Sequence, residues 1–363
     1  MTSLAILDDY AHIAPKHFQP LQSKGLLRTV DSFPETLNPT KPEDLQALIE
    51  RLTPYHIIST MRERTAFPAE VIDRLPNLKL LLSSGTRNAA LDLDAFRQRG
   101  IPVTATRGDQ PATASDDFEP PPPPGYSAVN QHAWALLLSL CGRIPQDDRA
   151  LKKQKSDFRA SSSSWQSGVG ISLGGKTLGL LGLGKLGTAF ARVAVQSFGM
   201  KVIAWSENLT QQKADAAAHG CGFESGEFQV VSKEEVFRRA DVLALHLVLS
   251  ERTRGIVGER ELGWMGKKAV LVNTSRGGLI DEEALIETLK KGGIRGVALD
   301  VFWEEPLSED SIWRTVDSWA KSEVVLSPHM GYVHEGTMNR WYQEQAEELE
   351  RWVRGEEVLK RMV

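Results

Sequence analysis

An arginine, a glutamate and a histidine, each just beyond a strand-like run, are the residues of this chain best suited to chemistry. Arg276 lies in Val-Asn-Thr-Ser-Arg-Gly, Glu305 in Asp-Val-Phe-Trp-Glu-Glu-Pro, and His329 in Ser-Pro-His-Met-Gly. A guanidinium grips a carboxylate with two parallel hydrogen bonds. A carboxylate bonded to one imidazole nitrogen fixes the ring's tautomer and favours its protonated form, leaving the other nitrogen to exchange a proton with a carbonyl oxygen. Upstream stands Gly-Leu-Leu-Gly-Leu-Gly-Lys-Leu-Gly, residues 179–187. A dinucleotide turn with a cation, a carboxylate and an imidazole is the equipment for reversible hydride transfer to a 2-keto acid. The cation holds the substrate carboxylate, the imidazole moves the proton, and the acid tunes the imidazole. Taken singly, an arginine in such a loop is more often a salt-bridge partner and a lone histidine more often structural. It is the combination that carries the reading.

The elements around these residues must bring them to one place. Gly182-x-Gly184-x-x-Gly187 follows a strand-like run at 177–181 and opens a helical pattern at 185–197. The first glycine permits a tight turn, the second lets backbone amides approach a pyrophosphate, and the third lets helix and strand pack closely. The helix amino terminus, with Lys185 and Leu186 in its first turn, then faces the phosphates with free amides. The next strand, 201–205, ends at Ser206 and Glu207, where an acid would bind the adenosine ribose and repel a 2′-phosphate. A serine at the tip would tolerate that phosphate, and no arginine stands beside it to attract one. NAD is the expected cofactor, with NADP open. Further strand patterns at 241–247, 268–273, 297–302 and 324–326 predict a parallel sheet. They place Arg276, Glu305 and His329 in loops at carboxyl ends of strands, the edge where doubly wound sheets bind ligands.

The first 105 residues alternate strand and helix signals as well. Apolar runs at 4–7, 57–58, 78–82 and 102–105 read as strands; 68–75 and 92–99 read as helices. Thr40-Lys41-Pro42-Glu43 reads as a capping box opening a helix to about residue 52. This is a small α/β domain. Five consecutive prolines, Pro120 to Pro124, then interrupt the pattern. Proline fixes φ and removes amide donors, so the segment 116–125 is read as an exposed polyproline II loop, with a partner-docking motif as the alternative. An apolar helix follows at about 129–140, then a flexible Ser-rich stretch at 161–164, and a helix at 335–354 closes the chain.

Composition narrows the function classes. At 363 residues the chain has room for two domains, and 41% apolar residues give each a core. Lysine plus arginine number 43 against 47 acids, a net charge of −4, which argues against a nucleic-acid backbone as the main ligand. Two cysteines, Cys141 and Cys221, do not make a disulfide framework. No metal-ligand cluster stands out. There is no signal-like amino terminus and no run of about 18 uncharged apolar residues. A soluble cytoplasmic protein with no membrane partner is expected.

On these motifs the sequence resembles the D-isomer-specific 2-hydroxyacid dehydrogenases, over most of its length. The carrying motifs are the glycine turn at 179–187, Val-Asn-Thr-Ser-Arg-Gly-Gly-Leu-Ile-Asp, Leu-Asp-Val-Phe-x-x-Glu-Pro and Ser-Pro-His-Met-Gly. The resemblance is to phosphoglycerate, glyoxylate and hydroxypyruvate reductase relatives. It implies catalytic roles for Arg276, Glu305 and His329, and a nicotinamide end held by Asp300 and main chain near Thr274. It implies a substrate loop at 81–88, whose amides at Gly85 and Thr86 bind the substrate carboxylate together with Arg276, with Arg62 at another strand edge as a further substrate residue. It implies two Rossmann-like parallel-sheet domains: a discontinuous catalytic domain, 1–127 plus 328–363, with the NAD(P)-binding domain, 128–327, inserted. Homodimers are usual in the family. Ser206 and the proline-rich insertion depart from its pattern. Two other readings stand beside this one. The first is a catalytically weak, dinucleotide-sensing interaction protein of corepressor type; the second is a formate dehydrogenase. Glu305 argues against the latter, because that branch pairs its histidine with an amide.

Overall fold

The computed structural model describes residues 2–108, 127–152 and 168–363. The proline-rich segment 116–125 and the serine run 161–164 lie outside the described residues. The chain divides into two compact units, Met1–Pro121 with Val333–Val363, and Pro122–Tyr332.

The first unit is built on a parallel sheet of five strands: β1 (Thr2–Leu7), β2 (Leu27–Phe33), β3 (Ile57–Thr60), β4 (Leu80–Ser83) and β5 (Val103–Thr104), in the order β2-β1-β3-β4-β5. The central strands are buried along nearly their whole length and carry apolar runs at 4–7, 57–58 and 80–82, with Ser59, Thr60 and Ser83 buried at their carboxyl ends. β2 carries no apolar run, and this is why the sequence reading passes over it. It is an edge strand, half-exposed along most of its length. The helix Pro42–Leu52 begins as expected with proline in its first turn. Its amino-terminal cap is Lys41, however, and Thr40 makes no capping hydrogen bond to it. The long helix Glu335–Val353 returns to this unit and buries Tyr342 and Leu349 completely.

The second unit holds a parallel sheet of seven strands: β6 (Thr177–Leu181), β7 (Lys201–Trp205), β8 (Phe228–Val230), β9 (Val242–Leu245), β10 (Val270–Asn273), β11 (Gly296–Leu299) and β12 (Glu323–Leu326). The order is β12-β11-β10-β9-β6-β7-β8. Side chains alternate across it as strand geometry requires. Leu178, Leu180, Val202, Ala204, Val242 and Ala244 pack on one face with Trp134 and Phe190. Leu181, Ile203, Leu243, Leu245, Leu271 and Val297 pack on the other with Phe237 and Leu285. The strand order reverses between β6 and β9, so loops on the two sides of that point diverge and leave a crevice at the carboxyl edge.

One row of paired residues fixes the level at which the loops leave the sheet. Leu181 pairs with Leu245, Leu245 with Asn273, Asn273 with Leu299, and Leu299 with Leu326. Gly182, His246, Arg276, Glu305 and His329 all follow that row.

Candidate active site

The glycine turn separates into three steric roles. Gly182 has φ 101°, and a Cβ there would lie 2.7 Å from the carbonyl oxygen of His246. A Cβ on Gly187 would lie 2.2 Å from the carbonyl oxygen of Gly182. These two glycines are required by the fold itself. Gly184 is different: it is exposed, and a Cβ there would meet no protein atom within 4 Å. It begins the helix Lys185–Phe198 with no side-chain cap. Uncapped amides at an open helix end fit a pyrophosphate. This is the observation of the fold that favours a dinucleotide. Beyond β7, Ser206 is half-buried and Glu207 is exposed with no partner among the described residues.

Glu305 and His329 meet. His329 Nδ1 lies 2.5 Å from Glu305 Oε2, while the Phe302 amide donates to Glu305 Oε1 at 2.8 Å. The carboxylate is therefore held by main chain on one oxygen and holds the imidazole with the other. His329 adopts φ 56°, a left-handed conformation unusual outside glycine, and its own amide donates to the Asp300 carbonyl at 2.8 Å. With Nδ1 donating to a carboxylate, Nε2 is the nitrogen left to face a ligand. Tyr332 packs edge-on against the ring at 5.5 Å.

Arg276 leaves β10, the strand beside β11. Its loop is pinned from three sides. The Asn273 amide side chain donates to the Arg276 carbonyl at 2.9 Å, Asn273 Oδ1 accepts from the Ser275 amide, and Ser275 Oγ donates to the Leu245 carbonyl. Gly277 then packs directly on the chain leading to Glu305. A Cβ at Gly277 would fall 2.2 Å from the carbonyl of Phe302. Any side chain at 277 would push the arginine loop and the glutamate loop apart. Thr274 sits half-buried in this same loop.

Comparison with known proteins decides the family. A model of the NAD-binding domain of D-isomer-specific 2-hydroxyacid dehydrogenases matches residues 134–331. A glyoxylate reductase of Thermococcus litoralis is 33% identical over 264 residues, which is 72% of this chain and 70% of that protein. The chain belongs to the D-isomer-specific 2-hydroxyacid dehydrogenase family. A D-3-phosphoglycerate dehydrogenase of Methanocaldococcus jannaschii is 31% identical over 86% of this chain, which spans about half of that protein, 52%. The crystal structure of a phosphoglycerate oxidoreductase from Vibrio cholerae superposes with a TM-score of 0.78 at 29% identity, covering 98% of this chain and 100% of that one. Membership makes the protein an NAD(P)-dependent oxidoreductase with 2-hydroxyacid dehydrogenase activity and NAD as cofactor. Its two parallel sheets are those of the family fold. Among the described residues no helix is long and apolar enough to cross a membrane.

Around the dehydrogenase site Asp300, which the family resemblance assigns to the nicotinamide end, joins with His132 in holding the His329 loop. Asp300 is buried, and its carboxylate accepts from the amides of Met330 and Gly331 at 2.8 and 2.9 Å and lies 3.1 Å from His132 Nε2. Burial acts to raise its pKa, but the donors outweigh burial and hold the group below the usual carboxylate range. Asp300 thus anchors the loop that carries His329. His132 also lies 2.9 Å from Ser327 Oγ, so the helix Ala128–Gly142 braces the same loop. No motif marks His132, whose bonds run to side chains 168 and 195 residues away, whereas Asn273 lies within Val-Asn-Thr-Ser-Arg-Gly and braces its own loop. Trp303 does not reach the site: its indole donates to the Ile280 carbonyl at 2.7 Å, and its ring stacks on Trp313.

His246 lies beneath the glycine turn with Nε2 buried and without a hydrogen-bond partner, and burial pushes its pKa down to about 4. An unfolded histidine titrates near 6.5. The stability that a neutral His246 lends is complete above pH 6.5 and is lost as pH falls from 6.5 toward 4. At about 1.4 kcal/mol per unit, the loss is about 3 kcal/mol. Urea denaturation of wild type and His246→Gln between pH 7 and 4.5 is expected to show a steeper loss of stability in the wild type. Parallel pH profiles would remove His246 from the account.

In the first unit the proposed substrate groups stand as follows. The Gly85 amide is already given to Thr106 Oγ1 at 2.8 Å. Thr86 is exposed, and its amide makes no hydrogen bond among the described residues, so of the two expected amides Thr86 is the available one. Arg62 has φ 53°, donates its amide to Ser84 Oγ at 2.7 Å, and lays its guanidinium against the Gly85 α-carbon.

Proposed function

We propose that this dehydrogenase reversibly reduces a short 2-keto acid to the D-2-hydroxy acid with NADH, and that His329 moves the proton. The observation that carries the reading is the 2.5 Å pair of His329 and Glu305 at the carboxyl edge of the sheet. When bound, the reduced nicotinamide supplies the hydride to C2. The chain's own groups do the rest. Arg276 clamps the substrate carboxylate and orients the carbonyl. His329 Nε2 donates a proton to the developing alkoxide, while Glu305 holds the ring through Nδ1 and balances its charge. In the oxidative direction the same nitrogen takes the proton back. Arg62 and the Thr86 amide serve substrate binding from the discontinuous catalytic domain, 1–127 and 328–363, while Gly85, its amide given to Thr106 Oγ1, shapes the loop.

The remaining assignments belong to the same proposal. Gly182, Gly184, Lys185, Leu186 and Gly187 hold the pyrophosphate, Ser206 and Glu207 the ribose, and Thr274 and Asp300 the nicotinamide end, all in domain 128–327. The serine at the tip of β7 leaves NADPH acceptable. The active form is a homodimer. Its support is the helix Ile144–Lys152, which buries none of its residues and leaves Ile144 and Leu151 57% and 62% exposed. A nine-residue helix with no buried face gains little from its own chain, and a second copy supplies the missing partner surface. The reading as a corepressor-type sensor has no observation in its favour.

Relatives named glyoxylate reductase and hydroxypyruvate reductase point to small substrates. The purified protein, given glyoxylate, hydroxypyruvate, pyruvate and phosphohydroxypyruvate with NADH and NADPH in turn, is expected to oxidise the nicotinamide with at least one of the unphosphorylated acids. No turnover with any acid and either cofactor would overturn the proposal.

A further inference from the structure

A cavity of about 560 Å³ in the first unit is lined by Thr86, Arg87, Asn88, Arg107, Lys360 and Arg361, among others, and no acidic side chain lines it. The sequence shows no such cluster because its members are scattered. The fold brings them together at the open edge of the first sheet. Residues 360–363 run antiparallel along β5, with the Ala105 amide donating to the Lys360 carbonyl at 2.7 Å and the Met362 amide to the Val103 carbonyl at 2.8 Å. Buried Glu344 ties the segments together. It accepts from the Arg107 and Gly108 amides at 2.8 and 2.6 Å and from Lys360 Nζ at 2.7 Å. Asn88 fixes the loop bearing Arg87 by donating to the Arg62 carbonyl at 2.7 Å.

The charge balance of this cavity sets it apart. Glu344 neutralises Lys360, but Arg87, Arg107 and Arg361 are exposed and uncompensated. Among the described residues, the arginine side chains with no hydrogen bond, ion pair or ring contact are Arg87, Arg107, Arg252 and Arg361, and three of these four line this cavity. In a chain of net charge −4, three free guanidiniums around one concavity repel one another, and a bound anion relieves that repulsion. The three guanidiniums line a hollow of small-molecule size, which matches a small anion better than a polymer or membrane surface.

We propose that this cavity is a second anion site, separate from the hydride-transfer residues, for a small molecule with two or more negative charges, a phosphate ester or a polycarboxylate. Thr86 and Arg87 belong to both this cavity and the proposed substrate loop, so occupancy would stiffen that loop. The inference does not depend on the identity of the keto acid.

The test is calorimetric titration of the full chain with pyrophosphate, and separately with citrate, at low ionic strength. Saturating NAD is present throughout to fill the glycine turn. One site per chain is expected, weakening as salt rises. Arg107→Gln with Arg361→Gln is expected to weaken binding about a hundredfold, roughly tenfold per lost charge-assisted contact. The double variant should show a thermal midpoint no lower than the wild type and should keep keto-acid turnover. Tighter binding of pyrophosphate identifies a phosphate ester as the ligand class, and tighter binding of citrate a polycarboxylate. No binding of either probe by the wild type, or equal binding by the double variant, would overturn the site. Neither result bears on turnover, so this inference and the hydride-transfer reading fail separately.

Discussion

His329→Ala is expected to lower kcat by about 10²- to 10⁴-fold while NAD binding stays at its wild-type value. The size follows from how fully the pair is committed. Glu305 is tied to the Phe302 amide through one oxygen and to His329 through the other. Removing the ring leaves the substrate oxygen without a positioned acid, and Glu305 is held back by main chain from taking its place. NAD affinity is a fair control, because the glycine turn leaves β6, with β9 and β10 between it and β11, whose exit loop bears Glu305. Steady-state kinetics together with fluorescence titration of NADH separate the two quantities. Wild-type turnover would remove His329 from the mechanism.

Arg276→Lys is expected to lower kcat/KM by about 10- to 150-fold, the worth of a bidentate charge-assisted contact. Lysine keeps the charge but offers a single point, so the keto acid's carbonyl loses its fixed direction. The loop itself should not move. It is held by Asn273, by the Ser275 hydroxyl and by the contact of Gly277 with the Phe302 backbone, to which the guanidinium adds one bond, to the Ser275 carbonyl at 2.7 Å. An unchanged thermal midpoint with a collapsed kcat/KM is the expected pattern. A wild-type kcat/KM would mean that another group binds the carboxylate.

The sequence makes legible whatever depends on local pattern. The apolar runs of β3, β4, β9 and β10 are plain because buried parallel strands need apolar residues on both faces. The glycine turn is plain because two of its glycines are dictated by contacts within a few residues of chain or with the adjoining strand. β2 and β8 escape notice because edge strands carry polar residues. Of the site, the Glu305 and His329 pairing is foreseeable from two adjacent strand ends. The support beneath it is not. Asp300 reaches forward 30 residues to Met330 and back 168 to His132, and nothing in the local sequence announces either bond. The cationic cavity is the extreme case: Arg87, Arg107 and Arg361 look like ordinary surface arginines until β5 and the carboxyl-terminal segment bring them together.

The most direct test of the central claim is where the hydrogen at C2 of the product comes from. The wild-type enzyme would be given a 2-keto acid and NADH deuterated at C4, in each of the two stereoisomers, and the product examined by mass spectrometry. The account predicts one deuterium on the C2 carbon from one stereoisomer and none from the other. A C2 hydrogen taken from water with both would contradict it.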